Sequence, residues 1–241
     1  MSETITSKDN KKVKETLSYS DGKGEYFLVE GFHMVEMAIK NKLAIRIFSL
    51  KEYPHSTEEL YLTNETIIKK LSSTKNPEGI VALCKKKKEE EVASDVVIYI
   101  DEVQDPGNVG TILRSSLAFG YKDIIISKGS ASLYSPKTLL SSQGAIFSLN
   151  VIEGKNEPKD DIVSLKKKGY KILSTDLKSS YPLKELEMEK PFVLVLGNEA
   201  RGVNKDILSI SDKKVRIEMD GIDSLNVGVA GGILLYELKN K

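Results

Sequence analysis

The chain of 241 residues contains one cysteine, Cys84, and no tryptophan. A single thiol excludes an intramolecular disulfide framework and any cysteine-rich zinc site. Two histidines, His33 and His55, are too few to build a histidine-based metal centre, and no metal is expected. No apolar run reaches the roughly 18 residues that a membrane-spanning helix needs. The polar opening stretch MSETITSKDNKKVKETLSY is unlike a signal peptide, so a cytoplasmic protein without a membrane partner is expected. An excess of one charge is missing as well: 36 Lys+Arg oppose 35 Asp+Glu, a net +1. That excludes a histone-like positive coat, although not a local basic patch. The basic side is itself lopsided. Only Arg46, Arg114, Arg201 and Arg216 are arginines, against 32 lysines. Each arginine therefore marks a place where lysine's point charge does not replace a planar fork.

What is present is an ordinary globular composition, 40% hydrophobic and 29% charged, long enough for one large domain or two small ones. No internal repeat stands out. The clearest break is KKKKEEE, Lys85 to Glu91, which has no apolar residue to pack into a core. A first domain is expected over 1–88, a linker over 89–94 and a second domain over 95–241. In the first part, Glu30–Lys40 has helical spacing, Ala44–Leu50 alternates like a strand, Thr63–Leu71 reads as a helix opened by Thr63, and Ile80–Leu83 is a short strand. In the second part, apolar strands at Val96–Ile100, Asp123–Ser127, Tyr170–Ser174, Phe192–Leu196 and Lys213–Ile217 are expected. They alternate with helices at Val109–Phe119, Ser135–Ser142, Lys159–Lys168, Asn204–Ile210 and about Ser224–Leu238. This alternation predicts an α/β fold with a parallel sheet covered by helices. Chemistry in such a sheet lies beyond the carboxyl ends of its strands.

Three segments follow from that expectation. After the first strand comes DEVQDPGNVGTILRSSLAFG, Asp101–Gly120, where Asn108 is placed to cap a helix and Arg114 lies off its apolar face. After Phe192–Leu196 comes LGNEARGVNKDI, with Gly197 open to a ligand's close approach and Glu199 in need of a partner at a sheet edge. The third is RIEMDGIDSLNVGVAGGILLYEL, Arg216–Leu238. There Ser224 is a natural N-cap, and Gly228, Ala230, Gly231 and Gly232 make a helix face that suits very close packing. Each segment alone reads equally well as an ordinary turn or capped core helix. Neither a P-loop nor the dinucleotide fingerprint of an oxidoreductase is present.

Together, NVGxxxR, a strand ending LGNE, and SLNVxVAxxxxLYE resemble, in order, the three motifs of the SpoU/TrmH family of RNA ribose 2′-O-methyltransferases within the SPOUT superfamily. The stretches YFLVEGFHMVEMAIKN and LSSTKNPEGIVALC are similar to that family's N-terminal substrate-binding domain of the L30e type. The resemblance implies a trefoil-knotted catalytic domain over 95–241 and an RNA-binding domain over 1–88. It implies S-adenosylmethionine as methyl donor, held by Gly197, Ile217 and Leu225, with Leu196, Asn198, Met219 and Asn226 lining the pocket and Thr175 and Asp176 in its further wall. It assigns the chemistry to Arg114, Asn108, Glu199, Ser224 and Asn226. Arg114 would clamp the target phosphate and stabilise the developing alkoxide, a safer role than proton acceptance for a guanidinium. Glu199 would be its charge partner, Asn108 would position it or the ribose, and Ser224 and Asn226 would order the cofactor loop. Structured RNA is the implied partner, 23S-type ribosomal RNA ahead of transfer RNA, with a homodimer formed through the catalytic domain and no DNA.

The chain departs from the family pattern at Glu218, where relatives often carry proline, at Gly228, where many carry serine, and at Ser18–Glu25, which replaces a short basic run. A non-catalytic RNA-binding or ribosome assembly factor on the same fold is the reading from another class; loss of Asn108, Arg114, Glu199 or Asn226 would mark it, and all four are present.

Overall fold

The computed structural model describes residues 3–53, 59–178 and 180–239; His55 lies outside the described residues. By their contacts the residues fall into two compact units, 1–88 with 134–147, and 89–133 with 148–241.

The first unit comprises β1 (Glu3–Thr4), α1 (Lys11–Leu17), β2 (Tyr26–Glu30), α2 (Phe32–Lys40), β3 (Ala44–Ser49), β4 (Glu59–Leu62), α3 (Glu65–Leu71) and β5 (Ile80–Lys85). Its five-stranded mixed sheet has the order β1-β4-β3-β5-β2. Helix α2 begins two residues later than the spacing predicts because Gly31 at φ +87 turns the chain out of β2. Helix α3 is opened by Asn64, whose side chain accepts from Ile67 N at 3.1 Å, and not by Thr63. Thr63 is engaged elsewhere: its hydroxyl donates to Ile5 O at 2.9 Å and its N–H to Ser49 O at 2.9 Å. The core beneath α1 and α3 is Val13, Phe48, Ile67, Ile68 and Val81.

The remainder comprises β6 (Val96–Ile100), α4 (Pro106–Phe119), β7 (Asp123–Ile126), α5 (Pro136–Ser142), α6 (Ala145–Ser148), β8 (Asn150–Glu153), α7 (Pro158–Lys167), β9 (Lys171–Thr175), β10 (Tyr181–Pro182), β11 (Phe192–Leu196), α8 (Lys205–Ile210), β12 (Lys213–Arg216) and α9 (Val227–Lys239). Its seven strands form an all-parallel sheet in the order β10-β12-β9-β11-β6-β7-β8. The central pair, β6 (VVIYI) and β11 (FVLVL), is buried at every residue, as expected of strands covered on both faces. After β6 the chain moves out to β7 and β8; after β11 it moves the opposite way, to β12. A crevice therefore opens at the carboxyl ends of β6 and β11, the switch point of the sheet.

Two features differ from the expected division. Residues 89–94 are not a free linker. Buried Asp123 accepts from Ala93 N and Ser94 N at 3.1 and 2.7 Å, and Asn150 exchanges bonds with Glu90, so this stretch is sewn to the sheet of the second unit. The helix expected at Ser135–Ser142 groups with the first unit, because Tyr134 packs its ring 4.7 Å from Phe27 and Gln143 O meets His33 Nε2 at 3.3 Å.

Among the described residues the first unit buries one cation. Arg46 is 5% exposed and reaches Glu59 at 2.5 Å, Glu15 at 3.3 Å and the Thr16 hydroxyl at 3.0 Å. The Arg46 hydrogen bond lowers the Glu59 carboxyl from its ordinary 4.5 to about 2, against the opposing effect of burial. A lowered carboxylate stabilises the fold above its unfolded value, and the contribution disappears as pH falls through the folded one. Denaturation between pH 5 and pH 2 should show a loss of about 3 kcal/mol from this carboxylate. Glu59→Gln should start less stable and flatten that part of the profile; an unchanged acid limb would refute the assignment.

Candidate active site

Helix α4 starts tightly because Asp105 accepts from Asn108 N at 3.0 Å and Pro106 occupies the first helical position. Asp105, not Asn108, is thus the N-cap. Being relieved of that duty leaves the Asn108 amide free to point across the crevice. Its Nδ2 donates to Glu199 Oε1 at 2.9 Å, and its Oδ1 accepts from Asn226 Nδ2 at 2.9 Å. Asn226 Oδ1 in turn accepts from Gly228 N at 2.9 Å and Val229 N at 3.2 Å. Asn226 therefore caps α9, a role expected of Ser224. Ser224 is exposed and lies two residues outside the cap. One hydrogen-bonded chain thereby joins all three segments.

Glu199 also accepts from Gln104 N at 3.3 Å and Asp105 N at 3.1 Å. Burial pushes its carboxyl up, but the bonds from Asn108, Asp105 and Gln104 outweigh that and hold it below its ordinary value. It is not the partner of Arg114. Among the described residues Arg114 makes no hydrogen bond or ion pair and is exposed on α4. The expected Glu199–Arg114 pair fails because the amides of 104, 105 and 108 already supply what the carboxylate needs.

Beside this chain lies a cavity of about 550 Å³. Leu196, Gly197, Asn198, Thr175, Ile217, Met219 and Leu225 all line it, together with Asp176, Glu199 and Ser224; Arg114 does not, nor does Asn226, whose amide is turned to Asn108 and the start of α9. Apolar walls come from Leu208, Val215, Val227 and Leu234, and charged side chains from Lys178, Arg201, Lys205, Arg216 and Asp223. Of these, Arg201 and Arg216 were marked only by the scarcity of arginine, and the lysines by nothing in the sequence. Gly197 also has a packing reason to be glycine. A Cβ there would lie 2.2 Å from Val203 N and 2.3 Å from Gly202 C, so the glycine admits the returning backbone of its own loop. That loop is tied further by Asn198, which donates to Glu102 O at 2.8 Å and accepts from Ala200 N and Arg201 N at 3.0 Å.

Helix α9 packs along α4 in register, four residues at a time. A Cβ on Gly228 would come within 3.1 Å of Thr111, and one on Gly232 within 3.6 Å of the Ser115 hydroxyl. Phe119 meets Tyr236 edge-on at 5.6 Å. A Gly231 Cβ would approach Leu196 of β11 to 3.1 Å and Ile112 of α4 to 3.4 Å. Gly228 and Gly231 are favoured by close approach to side chains; Gly232 sits at ordinary contact distance.

Two acidic residues after β6 drew no attention in the sequence. Glu102, at φ +52, pairs with Arg201 at 2.8 Å. Asp101 is 1% exposed; its Oδ2 accepts from Asn204 N at 2.7 Å, while its Oδ1 has no partner among the described residues. Burial raises its carboxyl to about 6, the bond from Asn204 opposing. A raised carboxylate favours the fold below its unfolded value and loses that contribution as pH rises through the folded one. The expected cost is about 3 kcal/mol above pH 6. Asp101→Asn keeps an acceptor for Asn204 without the charge. It should melt higher than the parent at pH 8 and match it near pH 4; a lower melting temperature at pH 8 would contradict the charge cost.

Comparison with known proteins places these features. Residues 95–236 match the model of the SpoU rRNA Methylase family, and residues 10–82 that of the MRM3-like substrate binding domain. The chain is 32% identical to the 23S rRNA (guanosine(2553)-2′-O)-methyltransferase RlmP of Bacillus subtilis, over 98% of each. It is 34% identical to the tRNA (guanosine(18)-2′-O)-methyltransferase of Aquifex aeolicus, over 61% of this chain and 70% of that one. The crystal structure of AdoMet-bound rRNA methyltransferase from Sinorhizobium meliloti superposes with a TM-score of 0.85, covering 99% and 97% of the two chains at 23% identity, a likeness of fold.

Proposed function

Because the chain belongs to the SpoU rRNA methylase family, we propose that it is a cytoplasmic RNA 2′-O-methyltransferase that modifies ribosomal RNA of the 23S type, in preference to transfer RNA. The observation that carries this reading is the hydrogen-bonded chain Glu199–Asn108–Asn226 beside a cavity of nucleoside size. The cavity fits S-adenosylmethionine: Leu196, Val215, Val227 and Leu234 offer apolar walls to an adenine, and backbone at Gly197, Ile217 and Leu225 lies within reach of a ligand. Thr175, Asn198 and Met219 complete that lining in the proposal. When bound, this donor supplies an electrophilic methyl on a sulfonium.

The chain's own residues must bring a weak nucleophile, the ribose 2′-hydroxyl, to that methyl. Arg114 is available for a phosphate, since no carboxylate of the described residues holds it. A guanidinium stays charged, so its role is to clamp the phosphate and stabilise negative charge developing on the ribose oxygen. Asn108, Glu199 and Asn226 hold the crevice in one geometry, and Ser224, on the cavity wall, faces the same space. The knot implied by the resemblance belongs to this proposal. The first unit is proposed to hold the RNA, a reading supported by the match over residues 10–82.

Purified protein with labelled methyl donor should transfer label to a ribose of unmodified ribosomal RNA; no incorporation into ribosomal or transfer RNA would overturn the proposal. Arg114→Ala should lower transfer by about 10²-fold or more while calorimetry still records binding of the donor.

A homodimer completes the proposal. Arg114 does not line the cavity of its own chain, and α9 exposes Val229, Ile233 and Tyr236 at 51, 37 and 55% on one stripe. A second copy covering that stripe is proposed to bring the two crevices and the two arginines together. Sedimentation should give a dimeric mass for the parent and a monomeric one for Ile233→Glu, with methyl transfer lost; a fully active monomer would refute it.

A further inference from the structure

At one end of the first unit's sheet an exposed phenyl ring stands beside a tyrosine. Phe32, first residue of α2, is 41% exposed, and its ring centroid lies 6.1 Å from that of Tyr53 at 37°. The backbone beneath them is fixed by three neighbouring connections. Glu78 accepts from Phe32 N at 2.9 Å, Gly31 N donates to Ile80 O at 3.2 Å, and Leu50 N donates to Gly79 O at 2.9 Å. Gly31, at φ +87, also leaves room for the Glu78 carboxylate, which a Cβ would approach to 3.3 Å. Glu78 thus satisfies the helix start through the backbone, so nothing in the packing calls for a phenyl group at position 32.

The surrounding charge narrows what the rings could meet. Through Ser94 the sequence has sixteen basic and fifteen acidic residues, so the first unit has no overall positive excess to draw phosphates to this end of its sheet. Glu36, one turn along α2, is close enough to raise the Tyr53 hydroxyl, after burial, above its ordinary value. With the Glu78 carboxylate at Phe32 N as well, a phosphate is unwelcome at this spot. A neutral, flat base is not.

We propose that Phe32 and Tyr53 form a stacking site for one unpaired nucleobase of the RNA substrate. The proposal rests on the reading that the first unit holds RNA. It adds to that reading a determinant of which RNA is chosen, since an accessible base face is offered by loops and bulges and not by a duplex.

The absence of tryptophan makes a direct test available. In the full chain, Phe32→Trp supplies the sole indole, whose emission should be quenched on titration with unmodified 23S rRNA transcript. Phe32→Leu, apolar but without a π face, should raise the KM for that transcript roughly 10- to 100-fold, with Phe32→Trp staying within a few-fold of the parent. Melting temperatures of both variants should match the parent's. Unquenched emission at saturating RNA, or an unchanged KM for Phe32→Leu, would overturn the stacking site while leaving the methyltransferase reading intact. A parent protein that methylates no RNA would instead bring down that reading, and the stacking site with it.

Discussion

The amide of Asn108 uses both of its ends. It donates to Glu199 from the loop after β11 and accepts from Asn226 at the head of α9, 118 residues along the chain. Only an uncharged side chain that is donor and acceptor at once can join a carboxylate to another amide in this order. Around that residue the other arrangements are consequences. Asp105 takes over the capping of α4, Asn226 caps α9, and Glu199, satisfied by three neighbours, leaves Arg114 uncommitted. A crevice whose walls are fixed by mutual hydrogen bonds needs little rearrangement when a ligand enters.

In the second unit β6 (VVIYI) and β11 (FVLVL) were legible as continuous apolar runs bounded by turns, and β7, β9 and β12 also lie within a residue of where the pattern puts them. The strands missed are the two-residue β1 and β10, the short polar-ended β8 (NVIE) and β4 (ELYL), and β2 (YFLVE), which runs directly into a helix. Helix ends were misread wherever two polar residues competed for one cap, as at Thr63 and Asn64, and at Ser224 and Asn226. Propensity ranks these residues nearly equally, and the tertiary partner decides between them. The three segments were recognisable as segments; their wiring was not. Whether Glu199 meets a guanidinium or three amides depends on where two loops land, and spacing along a chain does not contain that. Asp101 was missed for the same reason, since an acid after a strand looks solvated until its burial is seen.

The two units handle charge differently. In the first, a buried guanidinium is satisfied by two carboxylates and a hydroxyl, and desolvation is compensated in full. In the second, Asp101 is buried with one oxygen bonded and the other not. An incompletely satisfied carboxylate beneath the crevice is a local cost to stability, in keeping with the tendency of sites to be built on strain that the remaining core supports.

The in-register ladder between α4 and α9 also governs how this unit comes into being. Thr111 and Gly228, Ser115 and Gly232, and Phe119 and Tyr236 are each separated by 117 residues of chain. Contacts of such long range form late, after the entropy of closing the intervening loop has been met. During synthesis at about 5–20 residues per second, the strands of the sheet emerge well before residues 227–239 are available. The crevice therefore acquires its third wall last, and the growing chain passes through a stage in which it has a sheet but no site.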